Sequence, residues 1–313
     1  MATIGVFDGV HRGHRALLEV VLERARTLGL PSLAITFDPH PVAVLSPRAG
    51  RHLLTPPAGK LRLLAELGLD SVLVLRFSRW LAALDPVAFL RDFLLRRIRL
   101  EEFWVGYDYR FGRDRGGEFN LLRSEGEALG FRVQQFGPVH QGGQVLSSTR
   151  VREALRAGRL EEALDVLGHS FLLEGRVGRG RGDAARLLVP TANLVLAEEQ
   201  CLPAYGVYAA WAEVAGELRP GVANIGLRPT LTRDESPTVE VHLIEWQGDI
   251  RDRPIALHLR SRLREERRFD SVDLLRAAIE DDIRRARSLL AGDRPRIVAA
   301  PESYGGRAKY PLD

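Results

Sequence analysis

The sequence predicts an α/β unit followed by an all-β unit: a parallel sheet covered by helices, then an antiparallel barrel with a closing helix. Three observations carry this. Up to about residue 168, apolar strand-like runs alternate with amphipathic helical stretches, the pattern of a parallel sheet with ligand sites at the carboxyl ends of its strands. Beyond that point short segments of alternating apolar and polar residues are separated by Gly and Pro. One long amphipathic stretch, Val272 to about Leu290, then closes the pattern, with Leu275, Ile279, Ile283 and Leu290 among its apolar positions.

The first strand ends at Ile4 and Val6, and Met1 begins within it, so the strand is either short or cut at its start. Gly5 to His14 (GVFDGVHRGH) turns into a helix whose face is Leu17, Val20, Val21, Ala25 and Leu28, with Gly29 as its stop. Ser32 to Phe37 is a buried strand ending in FDPHP. A helix from about Ala58 to Leu67 stops at Gly68, and Ser71 to Phe77 is the next strand. Asp85 and Pro86 open a helix through about Arg97. Phe103 to Gly106, Asn120 to Leu129 and Phe131 to Phe136 follow as strand, helix and strand. Thr149 to Leu155 and Glu161 to Leu167 are short helices that lead to Gly168. The barrel strands are LLEGRV, GVYAAWAEV, GVANIG, TVEVHLIEW and IALHLRSRL. The domain expectation is therefore 1–168 for the sheet, 169–291 for the barrel and a disordered tail over 292–313.

At 313 residues, with 45% hydrophobic and 27% charged residues, the chain has room for two cores. No apolar run approaches the roughly 20 residues of a membrane span, and no signal peptide precedes the first strand. The single cysteine, Cys201, excludes an intramolecular disulfide framework. A cytoplasmic protein without a membrane partner is expected. The net charge of +4 comes almost wholly from arginine and is spread along the chain, which suits phosphate ligands and argues against a nucleic-acid partner.

Strand, small-residue turn and helix N-terminus together make an anion site, because unpaired N–H groups and the positive end of the helix dipole converge there. Gly13 leaves the backbone bare, and His11 and His14 are placed to stabilise charge on a reacting phosphoanhydride. A three-residue spacing without cysteine is poor support for zinc. FDPHP, Phe37 to Pro41, reads equally as a stiff strand-ending turn or as a ligand contact. Val105 to Gly117 (VGYDYRFGRDRGG) sets Asp108, Arg110, Arg113 and Arg115 among aromatic residues. It reads equally as a solvated basic loop or as a loop that stacks a ring and neutralises phosphate. In LSSTRVREAL, Ser147, Ser148 and Thr149 suit an N-cap. Arg150 and Arg152 in a first helical turn oppose the dipole unless an anion binds there. Pro190 to Asn193 (PTAN) reads by itself as a short turn, one that carries a hydroxyl and an amide oxygen. In VEVHLIEW, alternation sets Glu240, His242 and Ile244 on one face and Val239, Val241 and Leu243 on the other.

HRGH fits the HxGH signature of the nucleotidylyltransferase superfamily, and the ten-residue segment resembles the opening of the bacterial bifunctional riboflavin kinase/FMN adenylyltransferase family. VGYDYRFGRDRGG, LSSTRVREAL, PTAN, GVY (Gly206 to Tyr208), GVANIGLRPT, VEVHL and LREERRF resemble further motifs of that family, so the likeness covers roughly residues 1–290. It implies a Rossmann-like nucleotidylyltransferase domain and a riboflavin-kinase barrel, acting on riboflavin, FMN and ATP with Mg2+ and yielding FMN and FAD. By this resemblance His11, His14 and Glu240 are catalytic. Gly5, Phe7, Asp8, Gly13, Asp108, Arg110, Ser148, Thr149, Arg152, Asn224 and Arg264 bind nucleotide or flavin, and Thr191 and Asn193 hold the metal. A monomer or weak homo-oligomer is expected. The sequence departs from the family where Ala184 and Ala185 stand for Gly and Arg, Leu188 and Val189 for Gly and Phe, and Asp252 for a turn glycine. The second reading is thus a monofunctional FMN adenylyltransferase whose barrel binds flavin without phosphorylating it.

Overall fold

A computed structural model describes residues 1–46, 48, 50–178, 189–227, 237–246, 248–292, 294 and 295. These form two compact units, Met1–Leu53 with Pro57–Ser147, and Leu54–Pro56 with the described residues from 148 to 295.

In the first unit, β1 (Ala2–Ile4) leads through a loop to α1 (Arg12–Leu28), then β2 (Leu33–Asp38), α2 (Pro41–Leu45), α3 (Pro57–Ala65) and β3 (Ser71–Arg76). After α4 (Arg79–Ala82), α5 (Pro86–Ala88) runs into a π-helical turn, Phe89–Leu94; β4 (Glu102–Gly106), α6 (Phe119–Leu129) and β5 (Arg132–Phe136) follow. The small hairpin of β6 (His140–Gln141) and β7 (Gln144–Val145) ends the unit. The sheet is parallel in the order β3-β2-β1-β4-β5. Ala2 pairs with Leu33 on one side and Phe103 on the other, so the chain changes direction of winding between β1 and β4. Ligands of open α/β sheets bind outside the carboxyl ends of the strands at that switch point.

Packing refines the expected helices. The buried face of α1 is Leu17, Leu18, Val21, Leu22 and Ala25, two adjacent ridges, while Val20 is half-buried and Leu28 is 37% exposed. Gly29 ends α1 as expected, in the left-handed region at φ 63° with its N–H on the carbonyls of Ala25 and Arg26. Asp85 caps α5 through the N–H groups of Val87 and Ala88 at 2.9 and 3.3 Å. The expected α-helix to Arg97 does not continue, because the wider π turn sets Phe89, Leu90, Phe93 and Leu94 all into the core.

The second unit begins with α7 (Ser148–Arg156) and α8 (Leu160–Leu167). The barrel strands are β8 (Phe171–Gly178), β9 (Ala192–Leu196), β10 (Gly206–Val214), β11 (Glu217–Leu227), β12 (Pro237–Leu243) and β13 (Pro254–Glu265), and α9 (Val272–Leu290) follows. The strands close in the order β10-β11-β12-β9-β8-β13, with every ladder antiparallel. Closure leaves no edge to protect. β9 is an addition to the sequence reading, which took PTAN as a turn; Ala192 and Asn193 are paired in a ladder. Val239, Val241 and Leu243 are buried by alternation, but β12 ends there, and Ile244 turns into the core with Trp211, Ala286 and Leu290 instead of sharing the face of Glu240. α9 has the expected bounds, is capped by Ser271 and buries Ala278, Asp282, Ala286 and Leu290.

The altered positions Ala184, Ala185 and Leu188, and nearly all of the expected tail, lie outside the described residues. Asp252 is described: it adopts φ 58°, the left-handed conformation that glycine favours and that Asp tolerates better than most residues.

Candidate active sites

The loop from Gly5 to His11 leaves the carboxyl end of β1 at the switch point. It is strained: Phe7, Gly9 and Val10 have φ of 50°, 82° and 38°, and a bulky and a β-branched residue rarely hold such angles. Such strain persists only where the surroundings enforce it, and it clusters at functional sites. Phe7 is buried, and a Cβ on Gly5 would lie 3.0 Å from its ring. Val10 donates its N–H to the carbonyl of Phe7 at 3.2 Å, which closes the turn. Asp8 is 3% exposed, and its Oδ2 lies 3.9 Å from Nε2 of His40.

His11 is the N-cap of α1: its Nδ1 accepts the N–H of His14 at 3.3 Å. The two imidazoles stack with centroids 3.7 Å apart, and Phe7 meets His14 edge-on at 5.3 Å. Gly13 serves this stack more than an open approach, since a Cβ there would sit 3.1 Å from the His11 ring and 3.3 Å from the Leu146 carbonyl. Burial first, then the charges of His11 and Lys60, hold His14 well below the usual histidine range, so its imidazole is neutral at pH 7. Its Nδ1 is buried with no hydrogen-bond partner among the described residues, a polar atom that a ligand would satisfy.

Lys60, on α3, is the residue the sequence reading missed. It is 6% exposed, and its ammonium donates to the carbonyls of Val6 and Phe37 at 3.3 and 2.9 Å and to Thr36 Oγ1 at 3.1 Å. Thr36 in turn donates to the Val6 carbonyl at 3.0 Å. Burial lowers the lysine to about 8, against the opposing pull of Asp8 and Asp38. The one available signal was a lysine at the fourth position of a helix where Gly59, Leu61, Leu63 and Leu64 are all buried.

After β4 comes the second loop at the switch point. Asp108 and Arg110 are exposed there, and Arg110 pairs with Glu118. Tyr109 and Phe111 stack at 5.6 Å, and the unit's core takes both, so these two rings serve packing. Asp114 and Arg115 hold positive φ angles. His40 caps α2 by accepting the Val42 N–H at 3.1 Å, which makes FDPHP a stiff turn whose Nε2 still faces Asp8.

In the second unit, Ser148 and Thr149 open α7, Arg150 pairs with Glu162 at 3.1 Å, and Arg152 is half-buried. The barrel then aligns three predicted residues. Asn224 of β11 pairs with Glu240 of β12, and Glu240 with Asn193 of β9, so the three form one row across neighbouring strands. Val241 lies on the opposite face and lines a cleft of about 1100 Å³, whose wall includes Gly178, Pro190, Thr191, Ala192 and Trp246. Thr191 Oγ1 is buried without a hydrogen-bond partner among the described residues. His242 shares the face of Glu240, and its Nδ1 meets the Pro190 carbonyl at 2.8 Å, bracing the turn that carries Thr191. Since a carbonyl only accepts, the imidazole donates from Nδ1. Arg264 of β13 continues this row through Val207 of β10, which pairs with both Asn224 and Arg264. Its Nε lies 3.1 and 3.0 Å from the two carboxylate oxygens of buried Asp282, and Nη2 is 2.9 Å from one of them.

A parallel sheet with paired histidines at its switch point, joined to a closed barrel bearing a row of amide and carboxylate side chains, defines a two-domain phosphate-transferring class. Comparisons with known proteins agree. The FAD synthetase family model matches residues 1–150 and the riboflavin kinase model residues 167–290. The chain is 40% identical to a bifunctional riboflavin kinase/FMN adenylyltransferase of Pseudomonas fluorescens, over 93% of both chains. It is 42% identical to that of Escherichia coli K12, covering 94% of this chain and 93% of the relative. A solved Streptococcus pneumoniae structure titled as a macrolide-efflux protein superposes with a TM-score of 0.81 at 29% identity, covering 91% of this chain and 93% of its own. No helix among the described residues is long and apolar enough to cross a membrane. The chain belongs to the bifunctional riboflavin kinase/FMN adenylyltransferase family.

Proposed function

We propose that this chain phosphorylates riboflavin to FMN with ATP and then adenylylates FMN to FAD, releasing pyrophosphate. The observation that carries the reading is the presence of both family modules in one chain. In the sheet unit the FMN phosphate attacks the α-phosphate of ATP, and no enzyme nucleophile is needed. His11 and His14 stabilise the charge that develops there. Gly5, Phe7, Asp8 and Gly13 shape the cradle, and Asp108 and Arg110 bind from the second loop. Ser148 and Thr149 bind nucleotide, and Arg152 holds the departing pyrophosphate.

In the barrel, Glu240 takes the proton from the ribityl 5′-hydroxyl of riboflavin as that oxygen attacks the γ-phosphate. Asn224 beside it orients the substrate, and Arg264 contributes through the position that Asp282 fixes. The unsatisfied Thr191 hydroxyl and the Asn193 amide are oxygen donors of the kind Mg2+ takes. That ion, when bound, neutralises phosphate charge on ATP. The adenylyltransferase domain spans 1–168 and the kinase domain 169–291, in a cytoplasmic monomer or weak homo-oligomer without a nucleic-acid partner.

A two-tube product assay tests the reading, with ATP and Mg2+ plus either riboflavin or FMN. FMN and FAD from riboflavin are expected. FAD from FMN with riboflavin untouched would instead establish the monofunctional alternative.

A further inference from the structure

Among the buried charged side chains of the first unit, Glu102 and Lys60 stand in opposite circumstances. Glu102, at the amino end of β4, is paired with Arg24 at 2.5 Å and accepts from Trp104 Nε1 at 3.3 Å, as a structural carboxylate is. Lys60, at the opposite end of the sheet, has no described carboxylate within ion-pair distance and touches only neutral oxygens. A buried cation without an ion-pair partner is costly, and such groups cluster where their charge has a use.

We propose that Lys60 is a positioning residue of the adenylyl-transfer site. It ties the loop carrying His11 to the loop carrying His40 and presents a fixed positive charge to the phosphates bound between them. The proposal rests on the FMN adenylyltransferase reading above. The geometry supports both roles. Val6 lies two residues before Asp8, and Phe37 three before His40, so one ammonium spans the roots of both loops. Asp8 and His40 then face each other at 3.9 Å. The charge also depresses His14 in concert with burial and His11, keeping that imidazole neutral. No strand ladder needs this lysine, because β1 and β2 pair through their own backbones.

Lys60→Met keeps the length of the side chain and removes the charge and the three hydrogen bonds. In the full-length protein FAD formation from FMN is expected to fall about a hundredfold, the scale of one preorganised donor in a phosphate site. Riboflavin phosphorylation should stay within about twofold, because the barrel has a core of its own. The melting temperature of the first unit should hold or rise, since an unpaired buried charge has gone. Lys60→Gln retains amide donors without charge and should remain about tenfold impaired, the worth of one charged contact. FAD formation within about threefold of wild type in Lys60→Met would overturn the proposal. So would its loss in step with a lowered melting temperature, which would mark the lysine as merely structural, or full activity in Lys60→Gln. Wild-type protein that makes no FAD from supplied FMN would defeat the underlying reading, and the role of Lys60 with it.

Discussion

In the proposed function the two sites handle phosphate by opposite means. At the switch point the protein supplies the cations and donors itself: the helix N-terminus, the stacked histidines and Lys60, held by a strained and buried loop. In the barrel it supplies oxygens, from Thr191, Asn193 and Glu240, on strands whose ladder does the positioning. On that reading the first site would add its own charge and donors to those of Mg2+ at the phosphates, whereas the barrel's oxygens would hold the ion itself. The contrast teaches where each is vulnerable: the first to loss of charge or loop geometry, the second to loss of a ligand or a base.

The sharpest break of this contrast is Glu240→Gln, which should lower riboflavin phosphorylation by about 10³-fold, the range of a general base, and leave FAD formation from FMN unchanged. Steady-state rates on the two substrates check it. His14→Ala should do the converse, lowering FAD formation by about 10²-fold while FMN formation persists. Thr191→Val removes one oxygen ligand, so the Mg2+ concentration for half-maximal riboflavin phosphorylation should rise about tenfold, the usual scale for a weakened metal site, with FAD formation unaffected. Asp282→Ala leaves Arg264 unpaired against α9 and should cost the barrel about 3 kcal/mol in denaturant unfolding.

The smallest effect is a pH limb. With Asp8, Asp38 and His14 as its charged or titratable surroundings, Lys60 is cationic below about 8 and neutral above it. The kcat/KM for FAD formation should therefore decline as pH rises through about 8, and Lys60→Met should lack that decline. Stability runs the other way. The lysine is charged in both folded and unfolded chains below about 8, so the burial cost is fully present at neutral pH. It is relieved as pH rises from there toward 10.5, and the first unit gains stability over that window.

The sheet and barrel were legible because their periodicities differ, and the loops because each follows an apolar strand end: Gly5 to His14 after β1, Val105 to Gly117 over the end of β4. Gly29, Asp85 and Gly168 marked helix ends through local chemistry that needs no tertiary contact. What stayed hidden depends on contacts across the chain. Lys60 is 54 residues from Val6, and His242 is 52 from Pro190. Asp282 is in sequence one charge among several on α9, and only the fold sets it against Arg264. The π turn at Phe89–Leu94 reflects packing of four large side chains, which local propensity does not encode. The row of Asn224, Glu240 and Asn193 required the register of three strands, and β9 was unread because PTAN has the composition of a turn.

The most direct measurement mixes His14→Ala and Glu240→Gln proteins with riboflavin, ATP and Mg2+ and follows products by chromatography. If one chain holds two separate sites, His14→Ala alone stops at FMN, and Glu240→Gln alone leaves riboflavin unchanged. The mixture makes FAD. A Glu240→Gln protein that cannot convert supplied FMN to FAD would contradict the account, because the two chemistries would then share a site.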